Sequence, residues 1–124
     1  MIDWDALKAA AIAARENAYA PYSKFKVGAA ILAEGAIFSG CNVENVSFPV
    51  GICAERGALS AAIAAGCKTI DAVVIVADSP ITPCGMCRQA LSEFNSEVPI
   101  VMVSNQMEQD ATLSQLFPDP FNQF

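Results

Sequence analysis

The sequence contains no histidine in its 124 residues. That absence excludes Ser-His and Cys-His catalytic pairs and any imidazole-ligated metal, so chemistry must fall to Cys, Asp, Glu, Lys, Tyr or a bound ion. Positive charge is also scarce. Seven Lys+Arg against 13 Asp+Glu give a net charge of -6, too little basic surface to attract a polyphosphate backbone, and nucleic acid is not expected as a partner. Long apolar runs are missing too, since a stretch such as Ala72 to Ala77 is far too short to cross a bilayer. Met1-Ile2-Asp3-Trp4-Asp5 is acidic and lacks the basic and apolar regions of a secretory signal, so no membrane association and a cytoplasmic location are expected. Charged residues make up only 16% of the chain and hydrophobic ones 54%, which excludes disorder and suits one packed domain over residues 1–124.

The apolar periodicity predicts a helix over residues 3 to 19, capped by Asp3 and ended by Pro21. Lys24 to Leu32 and Ala36 to Cys41 read as two strands turning at Glu34-Gly35. Gly28 inside the first strand marks a bulge or a close approach by another backbone or a ligand. An Ala-rich helix is expected from Cys53 to Ala65, with Gly66 as its stop. A strand covered on both faces follows at Asp71 to Ala77, then a helix from about Cys84 to Phe94 and a buried strand from Pro99 to Val103. A short helix near Ala111 to Leu116 completes the order. Helix, hairpin, helix, strand, helix, strand argues for an α/β fold, a mixed central sheet with helices on its faces.

Two places put thiols at the start of a helix: Cys53-Ala54-Glu55-Arg56 and Pro83-Cys84-Gly85-Met86-Cys87-Arg88. The partial positive charge and free N–H groups of a helix N-terminus favour the thiolate, the form that binds metal. Cys84 and Cys87 share one helical face, and Cys53 would make a set of three sulfurs. Three protein ligands leave a tetrahedral Zn²⁺ one open position for water, the mark of a catalytic rather than a structural site. Three thiolates on one zinc carry a net charge of -1, which Arg56 and the two helix N-termini are placed to offset. Glu55 stands where a general base is wanted. Two plainer accounts remain open at this point. The Cys84/Cys87 pair suits a redox couple or half of a structural zinc site, although the first leaves Cys53 and Glu55 without a role, and the second needs Cys41 or Cys67, which read more simply as buried core thiols. Arg88 reads as a solvated helical charge, Asn42 and Glu44 as a solvated pair at a strand end, and Phe25 as a core aromatic.

Taken together, Cys-Ala-Glu-Arg at 53–56 and Pro-Cys-Gly-Met-Cys-Arg-Gln at 83–89 resemble the small homotetrameric cytidine deaminases. Zinc deaminases in general carry H-x-E with P-C-x-x-C and admit cysteine in place of the histidine. Ala20-Pro21-Tyr22-Ser23-Lys24-Phe25-Lys26-Val27-Gly28-Ala29-Ala30 and Gly40-Cys41-Asn42-Val43-Glu44-Asn45 are similar to the same family, which extends the likeness over most of residues 15 to 103. The resemblance implies a three-layer α/β/α fold, one zinc per subunit on Cys53, Cys84 and Cys87, and hydrolytic deamination of cytidine and 2′-deoxycytidine with Glu55 as proton carrier. It further implies that Asn42 and Glu44 bind the ribose 3′-hydroxyl and that Phe25 packs on the pyrimidine or sugar. The N–H groups of Ala54 and Cys84 would contact the base and the attacking oxygen, and the Thr82 carbonyl would lie near the departing ammonia. Phe121 resembles the family's C-terminal aromatic that reaches a neighbouring subunit's site, and Phe48 stands where a tyrosine is common. Rival expectations are a deaminase of a modified nucleoside or of a base in a polynucleotide, a non-catalytic zinc-stabilised module, and a thiol-disulfide oxidoreductase.

Overall fold

The computed structural model describes residues 1–123. Asp3 opens the first helix, α1 (Trp4–Arg15), by accepting the Ala6 N–H at 3.1 Å on its side chain. The helix ends at Arg15, four residues before the expected boundary and well before Pro21. From there the backbone turns away, and Tyr19 forms an isolated parallel bridge with Val43. The first strand, β1 (Gly28–Ala33), likewise starts four residues later than its apolar pattern suggests, because residues 22–27 form a loop bound to side chains elsewhere. β1 pairs antiparallel with β2 (Ala36–Cys41) through the Glu34-Gly35 turn, where both residues have positive φ, 50° and 86°, as a type I′ hairpin turn requires.

A 3₁₀ turn at Phe48–Val50 leads to α2 (Ala54–Ala64), then come β3 (Ala72–Val76), α3 (Gly85–Ser92) and β4 (Pro99–Val103). The sheet order is β2-β1-β3-β4-β5, parallel between β3 and β4 and antiparallel elsewhere. Its last strand, β5 (Glu108–Thr112), takes the first two residues of the helix expected from Ala111, leaving α4 as Leu113–Leu116. Side chains alternate across the sheet. Ala30, Ala72, Val74, Val76 and Val101 meet Leu7 and Ala11 of α1 on one face. Ala29, Ile31, Val73, Ile75 and Ile100 meet Ala54, Ala58 and Ala62 of α2 and Leu91 of α3 on the other. The architecture is therefore the expected three layers, and β3, with all five residues buried, is covered on both faces as its apolar run implies.

Two glycines set how closely the layers approach. A Cβ at Gly28 would sit 2.0 Å from the Ala11 carbonyl oxygen and 2.7 Å from the Arg15 Cβ, so α1 rests directly on the β1 backbone. A Cβ at Gly40 would lie 2.5 Å from both the Ala54 oxygen and the Ala58 nitrogen, which brings the first turn of α2 against β2. The close approach expected at Gly28 is thus a helix rather than a ligand. Gly28→Ala should cost about 3 kcal/mol or more in urea unfolding, whereas Gly85→Ala, with nothing within 4 Å of the new methyl, should change stability by less than about 1 kcal/mol. Equal midpoints for the two variants would show that α1 can lift off β1 at no cost.

Candidate active site

The first thiol, Cys53, is the N-cap of α2, and Cys84 is the N-cap of α3, both in extended backbone. Cys87 is buried one turn into α3. α2 and α3 pack on the same face of the sheet, and their first turns bring the three sulfurs within 4.8 Å of one another, with Cys53 and Cys84 Sγ 3.5 Å apart. Among the described residues this is the one group of three or more Cys, Asp or Glu side chains close enough to share an ion. Tetrahedral zinc with bonds of about 2.3 Å places its sulfur ligands roughly 3.8 Å apart, so the donor set fits zinc in both spacing and chemistry. All five cysteines are free thiols. Cys67 leans on the core and bonds the Ala33 carbonyl, and Cys41 is half-buried, so neither joins the cluster.

The sulfurs share their protons unequally. Hydrogen bonding from the Cys87 thiol, helped by the Arg56 guanidinium, lowers Cys53 to about 5, and the same contact with Cys53, with burial, pushes Cys87 upward. Arg56 donates from Nη2 to Cys53 Sγ at 3.5 Å. Among the described residues its buried Nε has no hydrogen-bond partner.

Glu55 is 3% exposed, and among the described residues it is the buried charged side chain. Burial pushes its carboxyl up to about 7, reinforced by the negative Cys53 sulfur. A carboxyl at that value exchanges a proton readily near neutral pH. It lines a cavity of about 710 Å³ together with Phe25, Asn42, Glu44, Ala54 and Thr82. Cys53, Cys84 and Arg56 line it as well, so the expected site residues other than buried Cys87 and Phe121 meet in one cleft. Phe48 sits at its mouth, 75% exposed, its ring 6.0 Å from that of Tyr22.

Asn42 and Glu44 are not a solvated pair. Asn42 accepts the Val27 N–H at 2.9 Å and donates to the Phe25 carbonyl at 2.8 Å. Glu44 Oε1 accepts the N–H groups of Tyr22 and Ser23 at 3.0 and 3.1 Å, while Oε2 accepts the Ser23 hydroxyl, which does most to hold this carboxyl below its ordinary value. Arg88, read from sequence as a solvated charge, is instead engaged throughout: it donates to the Pro83 carbonyl at 2.7 Å, the Leu116 carbonyl at 2.6 Å and Thr82 Oγ1 at 3.3 Å. It thereby ties the loop that delivers Cys84 to α4. Neighbouring Gln89 exchanges two hydrogen bonds with the Phe121 backbone, at 2.9 and 3.0 Å, so in this single chain the Phe121 backbone is fixed outside the cavity and its residue is 64% exposed.

Residues 2–103 match the family described as the cytidine and deoxycytidylate deaminase zinc-binding region. The chain is 42% identical over 126 aligned positions to a cytidine deaminase of Sporosarcina psychrophila, covering 98% of this chain and 93% of that one. It is 43% identical to a cytidine deaminase of Halalkalibacterium halodurans over 90% of this chain and 88% of the relative. The crystal structure of a cytidine deaminase from Burkholderia pseudomallei superimposes with a TM-score of 0.90 at 44% identity, over 98% of this chain and 100% of that one.

Removing the Arg88 guanidinium strands two backbone carbonyls. Arg88→Ala should therefore lose roughly 2–4 kcal/mol in urea unfolding, and Arg88→Lys should recover little, since an ammonium cannot reproduce the fork. A loss below about 1 kcal/mol for Arg88→Ala would mean that water serves those carbonyls equally well.

Proposed function

This chain belongs to the cytidine and deoxycytidylate deaminase zinc-binding family, and on that footing we propose that it catalyses zinc-dependent hydrolysis of cytidine and 2′-deoxycytidine to the uracil nucleosides and ammonia. The observation that carries the reading is a buried carboxyl in the first turn of α2, two residues after Cys53, in the cleft that the cluster of three sulfurs borders. Cys53, Cys84 and Cys87 would hold one zinc per subunit, with Arg56 offsetting part of the thiolate charge. When bound, the ion supplies Lewis-acid activation of water at neutral pH.

Glu55 does the proton work. Its carboxylate takes one proton from the attacking water and hands it to N3 as the oxygen bonds to C4 of the ring. The remaining hydroxyl proton then passes through Glu55 to the amino nitrogen, the C–N bond breaks, and ammonia leaves beside the Thr82 carbonyl. The N–H groups of Ala54 and Cys84 open their helices toward the same cleft and serve the base and the incoming oxygen. Phe25 supports the ring, and Asn42 with Glu44 receives the 3′-hydroxyl of the sugar.

The finer reading is a cytoplasmic, homotetrameric enzyme of pyrimidine salvage. Its oligomeric part is supported by the apolar side chains of Val46, Phe48 and Val50, 78%, 75% and 61% exposed, which a neighbouring subunit would cover. Among the described residues no helix is long and apolar enough to cross a membrane. Phe121 would complete a neighbouring subunit's cleft.

Adding the zinc-loaded protein to cytidine should produce the loss of ultraviolet absorbance that accompanies conversion to uridine, and a protein with full zinc but no absorbance change would refute the activity. Glu55→Ala should retain zinc and lose at least about 1,000-fold in kcat. Cys87→Ala should lose zinc in metal analysis and unfold earlier. Near-normal turnover by Glu55→Ala would remove it from the proton path.

A further inference from the structure

Ser23 belongs to none of the groups assigned above, yet it joins two of them. Its hydroxyl donates to Glu44 Oε2 and its oxygen accepts the Phe25 N–H at 3.0 Å, closing a serine turn around Lys24, whose φ is 61°. A carboxylate offers about four lone-pair sites, and a primary amide two N–H groups and two lone pairs. The N–H groups of Tyr22 and Ser23 occupy Oε1 of Glu44, and the Ser23 hydroxyl takes one site on Oε2. One acceptor site of Glu44 is left over. Asn42, with one N–H on the Phe25 carbonyl and one lone pair on the Val27 N–H, keeps one donor and one acceptor. Both side chains line the cavity, and the leftover donor and acceptor match a hydroxyl, which accepts from one and donates to the other.

We propose that Ser23 is a positioning residue for substrate binding: its hydroxyl fixes the rotation of the Glu44 carboxylate so that the remaining site of Oε2 meets a sugar hydroxyl, while the same oxygen seats the Phe25 backbone. The terminal torsion of a glutamate is broad; the Tyr22 and Ser23 N–H groups hold Oε1, and among the described residues the Ser23 hydroxyl is what holds Oε2, so it sets which site of that oxygen stays open. Asn42 needs no such helper, because its two ends are already held by backbone on either side of Lys26. The inference rests on the deaminase reading and refines its sugar end.

The test compares kcat/KM for 2′-deoxycytidine and 2′,3′-dideoxycytidine, which differ only in the 3′-hydroxyl, in the wild type, Ser23→Ala, Glu44→Gln and the double variant. Zinc content is measured on each preparation. The wild-type ratio of the two values should fall about tenfold in Ser23→Ala, the scale of one hydrogen bond to a charged group, through KM rather than kcat and with zinc retained. Ser23→Thr should restore most of it. In the Glu44→Gln background, removing Ser23 should change the ratio by less than about twofold, because the two act as one unit. An unchanged ratio in Ser23→Ala, or equal losses for both nucleosides, overturns the inference while leaving the deaminase reading intact. A wild type indifferent to the 3′-hydroxyl removes the hydroxyl site and this role with it, and a wild type that deaminates neither nucleoside ends both.

Discussion

Three sulfurs within 4.8 Å of one another repel strongly once they ionise, because two like charges about 4 Å apart cost roughly 4 kcal/mol in a partly shielded protein site. Much of the surrounding structure answers that repulsion. The Arg56 guanidinium reaches into the cluster, the N-termini of α2 and α3 point at it, and one thiol keeps its proton to bond its neighbour. A divalent cation completes the same arrangement more fully. Helix starts are where such charge can gather, and the glycine contact at Gly40 keeps the first turn of α2 against β2.

The same packing creates the chemistry of Glu55. Two residues past Cys53 and buried, its carboxyl loses water without gaining an ion-pair partner strong enough to compensate, so its affinity for protons rises. The sugar end of the cleft follows a different logic. There the polar side chains are first used to shape a loop, and only what remains of their hydrogen-bonding capacity is offered to a ligand.

How far this was legible in the sequence depended on the range of the interactions involved. The helix starts at Cys53 and Cys84, the buried strand at Ala72–Val76 and the Glu34-Gly35 hairpin are local and were readable from spacing and turn chemistry. β5 was not: Glu-Gln-Asp-Ala-Thr is an edge strand paired only with β4, and its charges guard an open edge rather than follow a core pattern. Residues 24–27 of the loop read as strand from sequence, but Glu44 and Asn42, some 15 to 22 positions away, claim the backbone of residues 22–27. Arg88 was misread for the same reason, as its partner carbonyl lies 28 residues downstream. The metal cluster was readable because each thiol carries its own local cue; the clamps were not, because their partners carry none.

The ligand shell itself has a further consequence. Sulfur is a soft, polarisable donor, and a shell with no nitrogen or oxygen side chain in it discriminates steeply against hard cations such as magnesium and manganese, however abundant they are. It also invites thiophilic ones. Cuprous or cadmium ions would find this pocket attractive, and of the three sulfurs Cys84 is the one facing solvent, so it is the ligand that peroxide would meet first. A protein built this way trades the oxidation resistance of imidazole ligation for selectivity among metals.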